Sequence, residues 1–296
     1  MSNTIYALAT PAGRSGIAVV RISGAGARTA LAALTARDLP TPRVAALRRL
    51  IGKDDEPIDD ALVLWFPAPH SFTGEDVAEL HLHGGPAVIA ATLAALGAVS
   101  GLRLAEPGEF TRRAFDHDKL DLAQVEGIAD LIAAETEMQR RQALRQAEGA
   151  LSRRLESWRT DLMHVLARLE AYIDFPDEDL PRQLLSSIDV EVAQIADTLG
   201  KELAGHAAER LRDGLTIAIL GAPNVGKSSI LNKLVQREAA IVSSIAGTTR
   251  DVIEVRMDIC GFPVTVADTA GLRATADEIE AEGVRRALAR AEHADV

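Results

Sequence analysis

The chain is short of cysteine, aromatic residues and positive charge, and it has no long hydrophobic run. Each shortage excludes a class of protein. A single cysteine, Cys260, cannot build a disulfide framework, which fits a reducing compartment. It falls in a predicted strand and is expected to pack as a small hydrophobe. No apolar stretch reaches the ~20 residues that cross a bilayer as a helix. The opening Met1-Ser2-Asn3-Thr4 has no basic segment of the kind that starts a signal peptide. A cytoplasmic location without membrane attachment is therefore expected. With 32 Lys+Arg against 43 Asp+Glu the net charge is −11, the wrong sign for a broad nonspecific nucleic-acid binder. Any RNA role has to use a local patch or a partner protein. Aromatics are 3% of the chain while Ala and Leu are plentiful, a balance that favours helix. At 296 residues, 47% hydrophobic and 25% charged, the composition is that of folded protein with room for two or three domains.

The strongest chemical signal is Gly221-Ala222-Pro223-Asn224-Val225-Gly226-Lys227-Ser228, directly after the apolar run 215–220. A strand feeding a G-x-x-x-x-G-K-[ST] loop is a phosphate cradle. Gly221 and Gly226 permit the tight turn that aims backbone N–H groups inward. Lys227 can reach the β- and γ-phosphates, Ser228 can ligate Mg²⁺, and a helix starting near Lys227 and running on through Ser229 adds its positive dipole end. Gly247-Thr248-Thr249-Arg250-Asp251 follows, then Asp268-Thr269-Ala270-Gly271 after the apolar run 264–267. Thr249 is the candidate switch threonine on Mg²⁺, Asp268 the acidic residue that holds Mg²⁺ through water, and Gly271 a donor to the γ-phosphate. Leu272 follows where many GTPases place a water-orienting Gln, and leucine cannot orient water. Asn224 inside the loop, beside Gly-Thr-Thr-Arg-Asp, resembles the potassium-activated GTPases. That likeness implies K⁺ ligands at Asn224, Ser243, Ile245 and Thr248. The plainer alternative is that Asn224 stabilises the turn.

Residues 1–118 alternate short strands, turns and helices. Strands are expected at 16–24, 61–66 and 76–83, and a helix at 86–99 with Pro86 in its first turn. From about Leu120 the pattern becomes helical, over 121–134, 136–173 and 187–211, and 119–213 is read as a helical domain that is incomplete. From Gly214 the pattern is α/β, and the final helical stretch over 279–294 stops before the guanine-reading Asn-Lys-x-Asp motif. The expected fold is therefore multidomain. An α+β N-terminal domain (1–118) precedes an α-helical domain (119–213) and a partial P-loop α/β GTPase domain (214–296).

The first region resembles one family among the GTPases. The matching segments are Ala9-Thr10-Pro11-Ala12-Gly13-Arg14-Ser15-Gly16, Arg21-Ile22-Ser23-Gly24, Ser71-Phe72-Thr73-Gly74-Glu75-Asp76, His83-Gly84-Gly85-Pro86, Pro107-Gly108-Glu109-Phe110-Thr111 and Asp118-Lys119-Leu120-Asp121-Leu122-Ala123-Gln124. Together they resemble the MnmE (TrmE) family of tRNA modification GTPases. That resemblance implies a folate-binding N-terminal domain that dimerises, and a G domain inserted in a helical domain. It implies GTP, Mg²⁺ and K⁺, a 5-formyl or 5,10-methylene tetrahydrofolate, and the flavoprotein partner MnmG in a heterotetramer. The implied reaction places an aminomethyl-type group on C5 of the tRNA wobble uridine. Folate contacts carry over to Arg21, Glu79 and Lys119, the water-organising carboxylate to Glu280, and a supporting switch role to Arg250.

Plainer readings stand beside these. Arg21 and Glu79 could form a strand-to-strand ion pair. Glu79, His81 and His83 fall on one strand face and could ligate a metal, although residues two apart on one strand rarely converge on one ion. His83 is expected to cap the turn at Gly84-Gly85. The competing function is a GTP-dependent ribosome-assembly factor of the Era or Der type, which would carry a KH-like domain or a second G domain.

Overall fold

The computed structural model describes residues 3–35, 39–174, 183–205, 207–219 and 253–268, with isolated positions at 225, 226, 229, 230 and 233. The chain divides into two compact units, 1–125 and 126–296.

The first unit is built on a sheet whose strands alternate buried and half-buried residues. Its elements are β1 (Thr4–Leu8), β2 (Ala18–Ser23), α1 (Ala27–Thr35), β3 (Ala46–Ile51), β4 (Pro57–Phe66), β5 (Val77–Leu82), α2 (Pro86–Gly97), β6 (Leu102–Leu104) and α3 (Glu109–Asp116). The six strands lie in the order β3-β4-β5-β2-β1-β6, antiparallel except for the parallel pair β1–β6. Val20 and Ile22 of β2, Ala78, Leu80 and Leu82 of β5, and Val63 and Trp65 of β4 form one apolar face. Ala27, Ala30, Leu31 and Leu34 of α1 and Leu96 of α2 pack into that core. The period of two then sends Arg21, Glu79 and His81 to the other face. The expected strands at 61–66 and 76–83 are present as β4 and β5. β4 runs four residues further back, to Pro57, because Asp59 and Asp60 pair with β3 despite their polarity.

The second unit begins within α4 (Leu122–Ala133) and continues with α5 (Glu137–Ala147), α6 (Ala150–Asp174), α7 (Gln183–Leu203) and α8 (Ala207–Asp213). The helical run expected over 136–173 is two helices. Gly149 adopts φ +80° and breaks it. Thr136 caps α5 through a reciprocal box with Gln139: the Gln139 N–H donates to Thr136 Oγ1 at 3.3 Å, and the Thr136 N–H donates to Gln139 Oε1 at 3.1 Å. Gly127 of α4 is buried, and a Cβ there would lie 2.4 Å from Ala147 N at the end of α5, so only glycine allows this approach. Val165 of α6 packs with Ile188 and Ile195 of α7, and Arg168 pairs with Glu191 across the same two helices. The helix expected over 187–211 likewise divides, α7 ending at Leu203 and α8 starting at Ala207.

A small sheet follows, made of β7 (Leu215–Ile219), β8 (Ile253–Ile259) and β9 (Phe262–Asp268), in the order β7-β9-β8. β7 and β9 are parallel and end in register, Ile219 opposite Asp268, whereas β8 and β9 form an antiparallel hairpin. Met257, Val264 and Val266 are its core. Cys260 corrects the sequence-based expectation. It sits exposed in the β8–β9 turn at φ +54°, where Asp258 Oδ1 accepts the Gly261 N–H at 2.6 Å and turns the chain back.

Candidate functional site

The face of the first sheet opposite its apolar core carries a concentration of charge. Arg21 on β2 and Glu79 on β5 are direct register partners. Arg21 Nε donates to Glu79 Oε1 at 2.9 Å, and Nη2 lies 2.8 Å from the same oxygen. The two side chains keep only 26% and 18% of their surface exposed. Two rings flank the guanidinium, Phe72 at 5.3 Å and Phe110 at 5.6 Å from centroid to Cζ. Both distances are within cation–π range. Phe72 comes from the loop before β5 and Phe110 from the first turn of α3, so the two walls come from separate segments.

A buried ion network fixes those segments. Arg113 of α3 has its side chain 10% exposed. Its Nη1 donates to both oxygens of Glu75 at 3.1 and 2.9 Å. Its Nη2 donates to Glu109 Oε1 at 3.1 Å and to the carbonyl of Asn3 at 2.7 Å. Ser23 donates to Glu75 Oε2 at 2.8 Å and lies 2.7 Å from Thr73 Oγ1. Arg103 of β6 donates to Glu109 Oε2 at 2.8 Å. The hydrogen bond from Arg103 is the chief reason the Glu109 carboxyl is held down at about 2, with a backbone N–H from Glu106 and the Arg113 guanidinium adding to it. One network thus ties the loop bearing Phe72 to the helix bearing Phe110.

Of the residues expected to bind folate, Arg21 and Glu79 are brought into contact, in the cross-strand ion pair that was the plainer alternative. Lys119 lies beside the same loop: its backbone N–H donates to Ala114 O at 2.8 Å, and a Cβ placed on Gly74 would lie 3.5 Å from its Cε. His117 Nδ1 is 2.8 Å from the carbonyl of Thr73. The metal alternative is not what the strand builds. His83 Nδ1 turns to Asp59 Oδ1 at 2.7 Å, and its backbone N–H donates to Asp59 Oδ2 at 2.8 Å. That contact also replaces the turn cap expected of His83. Among the described residues no group of three or more His, Cys, Asp or Glu is placed to hold a metal ion.

Sequence reading gave no role to Phe72, Phe110, Glu75, Arg103 or Arg113. The signal was present for the first three, which lie in the matching segments 71–76 and 107–111. What it lacked was the pairing of those segments, which only the fold supplies.

In the second unit, Val225 and Gly226 of the phosphate-loop motif are described. Val225 is exposed and Gly226 takes φ +102°, a left-handed conformation that glycine adopts readily. Ser229 is helical and exposed. Asp268 ends β9 opposite Ile219, so the strand that leads to Gly221 and the strand that leads to Thr269 finish at one edge. Gly221, Asn224, Lys227, Ser228, Ser243, Ile245, Thr248, Thr249, Arg250, Thr269, Ala270, Gly271 and Glu280 lie outside the described residues. A separate cavity of about 560 Å³ lies among Ala133, Glu135, Gln139, Arg212, Arg256 and Thr265. It contains none of the expected site residues.

The architecture is thus that of an α+β domain followed by a helical one. Two family descriptions match it in that order, "GTP-binding protein TrmE N-terminus" over residues 4–119 and "MnmE helical domain" over 122–294. The chain is 61% identical over 297 residues to the tRNA modification GTPase MnmE of Parvibaculum lavamentivorans, covering 99% of this chain and 67% of that protein. It is 62% identical over 301 residues to the same-named protein of Paramagnetospirillum magneticum, covering 100% and 67%. For that of Rhodospirillum rubrum the figures are 57% over 308 residues, 99% and 68%. The chain belongs to the MnmE (TrmE) family. No helix among the described residues is long and apolar enough to cross a membrane.

Proposed function

We propose that this protein is a GTP-hydrolysing subunit of the assembly that places an aminomethyl-type group on C5 of the tRNA wobble uridine. The observation that carries the first half of this reading is the Arg21–Glu79 pair between Phe72 and Phe110. A purely structural ion pair on a sheet face needs no aromatic walls. A folate needs flat apolar surfaces for its ring, an acceptor for the ring's N–H edge and cations for its glutamate carboxylates. Phe72 and Phe110, Glu79, and Arg21 with Lys119 are of those types. The ligand proposed is a 5-formyl or 5,10-methylene tetrahydrofolate, and its one-carbon unit is the chemistry that the bound group supplies.

The second half rests on the motifs and the small sheet. The parallel pairing that sets Ile219 opposite Asp268 supports a nucleotide-binding edge. On this reading residues 1–118 bind folate and dimerise, 119–213 belong to the helical domain and 214–296 to the G domain. Mg²⁺ would be held by Ser228 and Thr249, with Asp268 acting through water. K⁺ would be held by Asn224, Ser243, Ile245 and Thr248. Glu280, supported by Arg250, would organise the attacking water that Leu272 cannot. A second copy of the chain and the flavoprotein MnmG are the proposed partners, with tRNA as substrate. The relatives' shared name favours this over ribosome assembly. Mass analysis of wobble uridines in tRNA from cells lacking the gene tests it: the aminomethyl-type modification should vanish, and full modification would overturn the reading.

A further inference from the structure

Both contacts of the Arg21 guanidinium fall on one oxygen of Glu79, a hydrogen bond from Nε at 2.9 Å and an ion-pair contact from Nη2 at 2.8 Å. A fork-to-fork pair would have taken both oxygens. The open oxygen, Oε2, faces His81, whose Nε2 is 3.5 Å away. That separation is beyond a normal hydrogen bond. His81 Nε2 is nonetheless shut off from solvent, and it has no hydrogen-bond partner. A buried polar nitrogen left unmet is costly. His81 and Glu79 are two residues apart on β5 and share a face.

We propose that His81 is a positioning residue of the sheet-face site. When a ligand engages Glu79, the Nε2–H of His81 donates to Oε2 and fixes the direction in which the carboxylate accepts from the ligand's N–H edge. The ligand class is a ring with adjacent N–H donors, as in a pterin, and the inference rests on the folate reading above. The unmet nitrogen of the free protein gains its partner only in the bound state. Its favourable contribution therefore falls on affinity and adds nothing to the unliganded fold, because a group strengthens binding only by what differs between the two states.

Calorimetric titration of the 296-residue chain with 5-formyltetrahydrofolate tests this, using wild type, His81→Leu, His81→Phe and His81→Gln. The two variants without an N–H donor should bind about tenfold more weakly, the scale of one lost hydrogen bond to a charged group. His81→Gln keeps a donor and should stay within about threefold of wild type. Melting temperatures without ligand should not fall below wild type in any variant that folds, since the free protein gains nothing from the unmet nitrogen, and either donor-less variant suffices. Wild-type affinity in a donor-less variant overturns the proposal and leaves the folate site standing. So does a His81→Gln protein as weak as the donor-less ones. A wild-type chain that binds no folate overturns both.

Discussion

Arg113 sits between Glu75 and Glu109, with the carbonyl of Asn3 as a third partner, and has little contact with water. Removing one member of such a set leaves the others charged and buried. Arg113→Met should therefore destabilise the first unit by about 3–5 kcal/mol, read as a lower urea midpoint. The same network sets an acid limit. The Glu109 carboxyl titrates near 2 in the folded chain against an ordinary value of 4.5. Its folded value is depressed, so its contribution is complete above 4.5 and is lost as pH falls from there towards 2. In Arg103→Met, which removes the principal cause, the loss of stability between those pH values should be visibly shallower in pH-dependent thermal melts. A wild-type slope in that variant would assign the acid sensitivity to another group.

Two contacts decide how elements meet. Gly84 is buried, and a Cβ there would fall 2.1 Å from Ser15 Oγ and 2.4 Å from the Ser15 carbonyl. Backbone on backbone cannot yield as a flexible side chain does. Gly84→Ala should cost about 1–3 kcal/mol, the usual range for overpacking, by thermal or urea unfolding. Thr136→Ala removes one half of the α5 capping box and should cost about 1 kcal/mol. Much of this level was legible in the sequence. Alternation in 77–82 marked β5, and the Thr-x-x-Gln spacing at 136–139 is that of a capping box. The break at Gly149 was not legible, because apolar spacing continues in phase on both sides of it and only its backbone conformation ends α5. Cys260 was misjudged for a related reason. An apolar residue between two strands reads as strand until Asp258 and Gly261 are seen to close a turn around it.

For the whole molecule, the expectations concern hydrolysis. In a protein carrying this chain together with the rest of its relatives' length, GTP turnover should be faster in K⁺ than in Na⁺, and Asn224→Ala should abolish the difference. Equal rates in the two salts would remove the cation role. Glu280→Ala should slow turnover by roughly 10²–10⁴ with nucleotide affinity nearly constant, as for a general acid–base group. The phosphate-loop motif stands out in the sequence because such loops are contiguous. The sheet-face site was legible only in part, because its members are remote in sequence. Arg21 and Glu79 are 58 positions apart, and Arg113 reaches a carbonyl 110 positions back.

That last separation has a consequence for synthesis. The first strand leaves the ribosome long before α3, and closing so long a loop is entropically slow. Until Arg113 emerges, the ion network that ties the loop at Phe72 to the helix bearing Phe110 lacks its centre. A nascent chain stalled before residue 109 can pair β2 with β5 and so bring Arg21 to Glu79, yet Phe110 is missing. Folate affinity should therefore appear abruptly with chain length, after the sheet has formed.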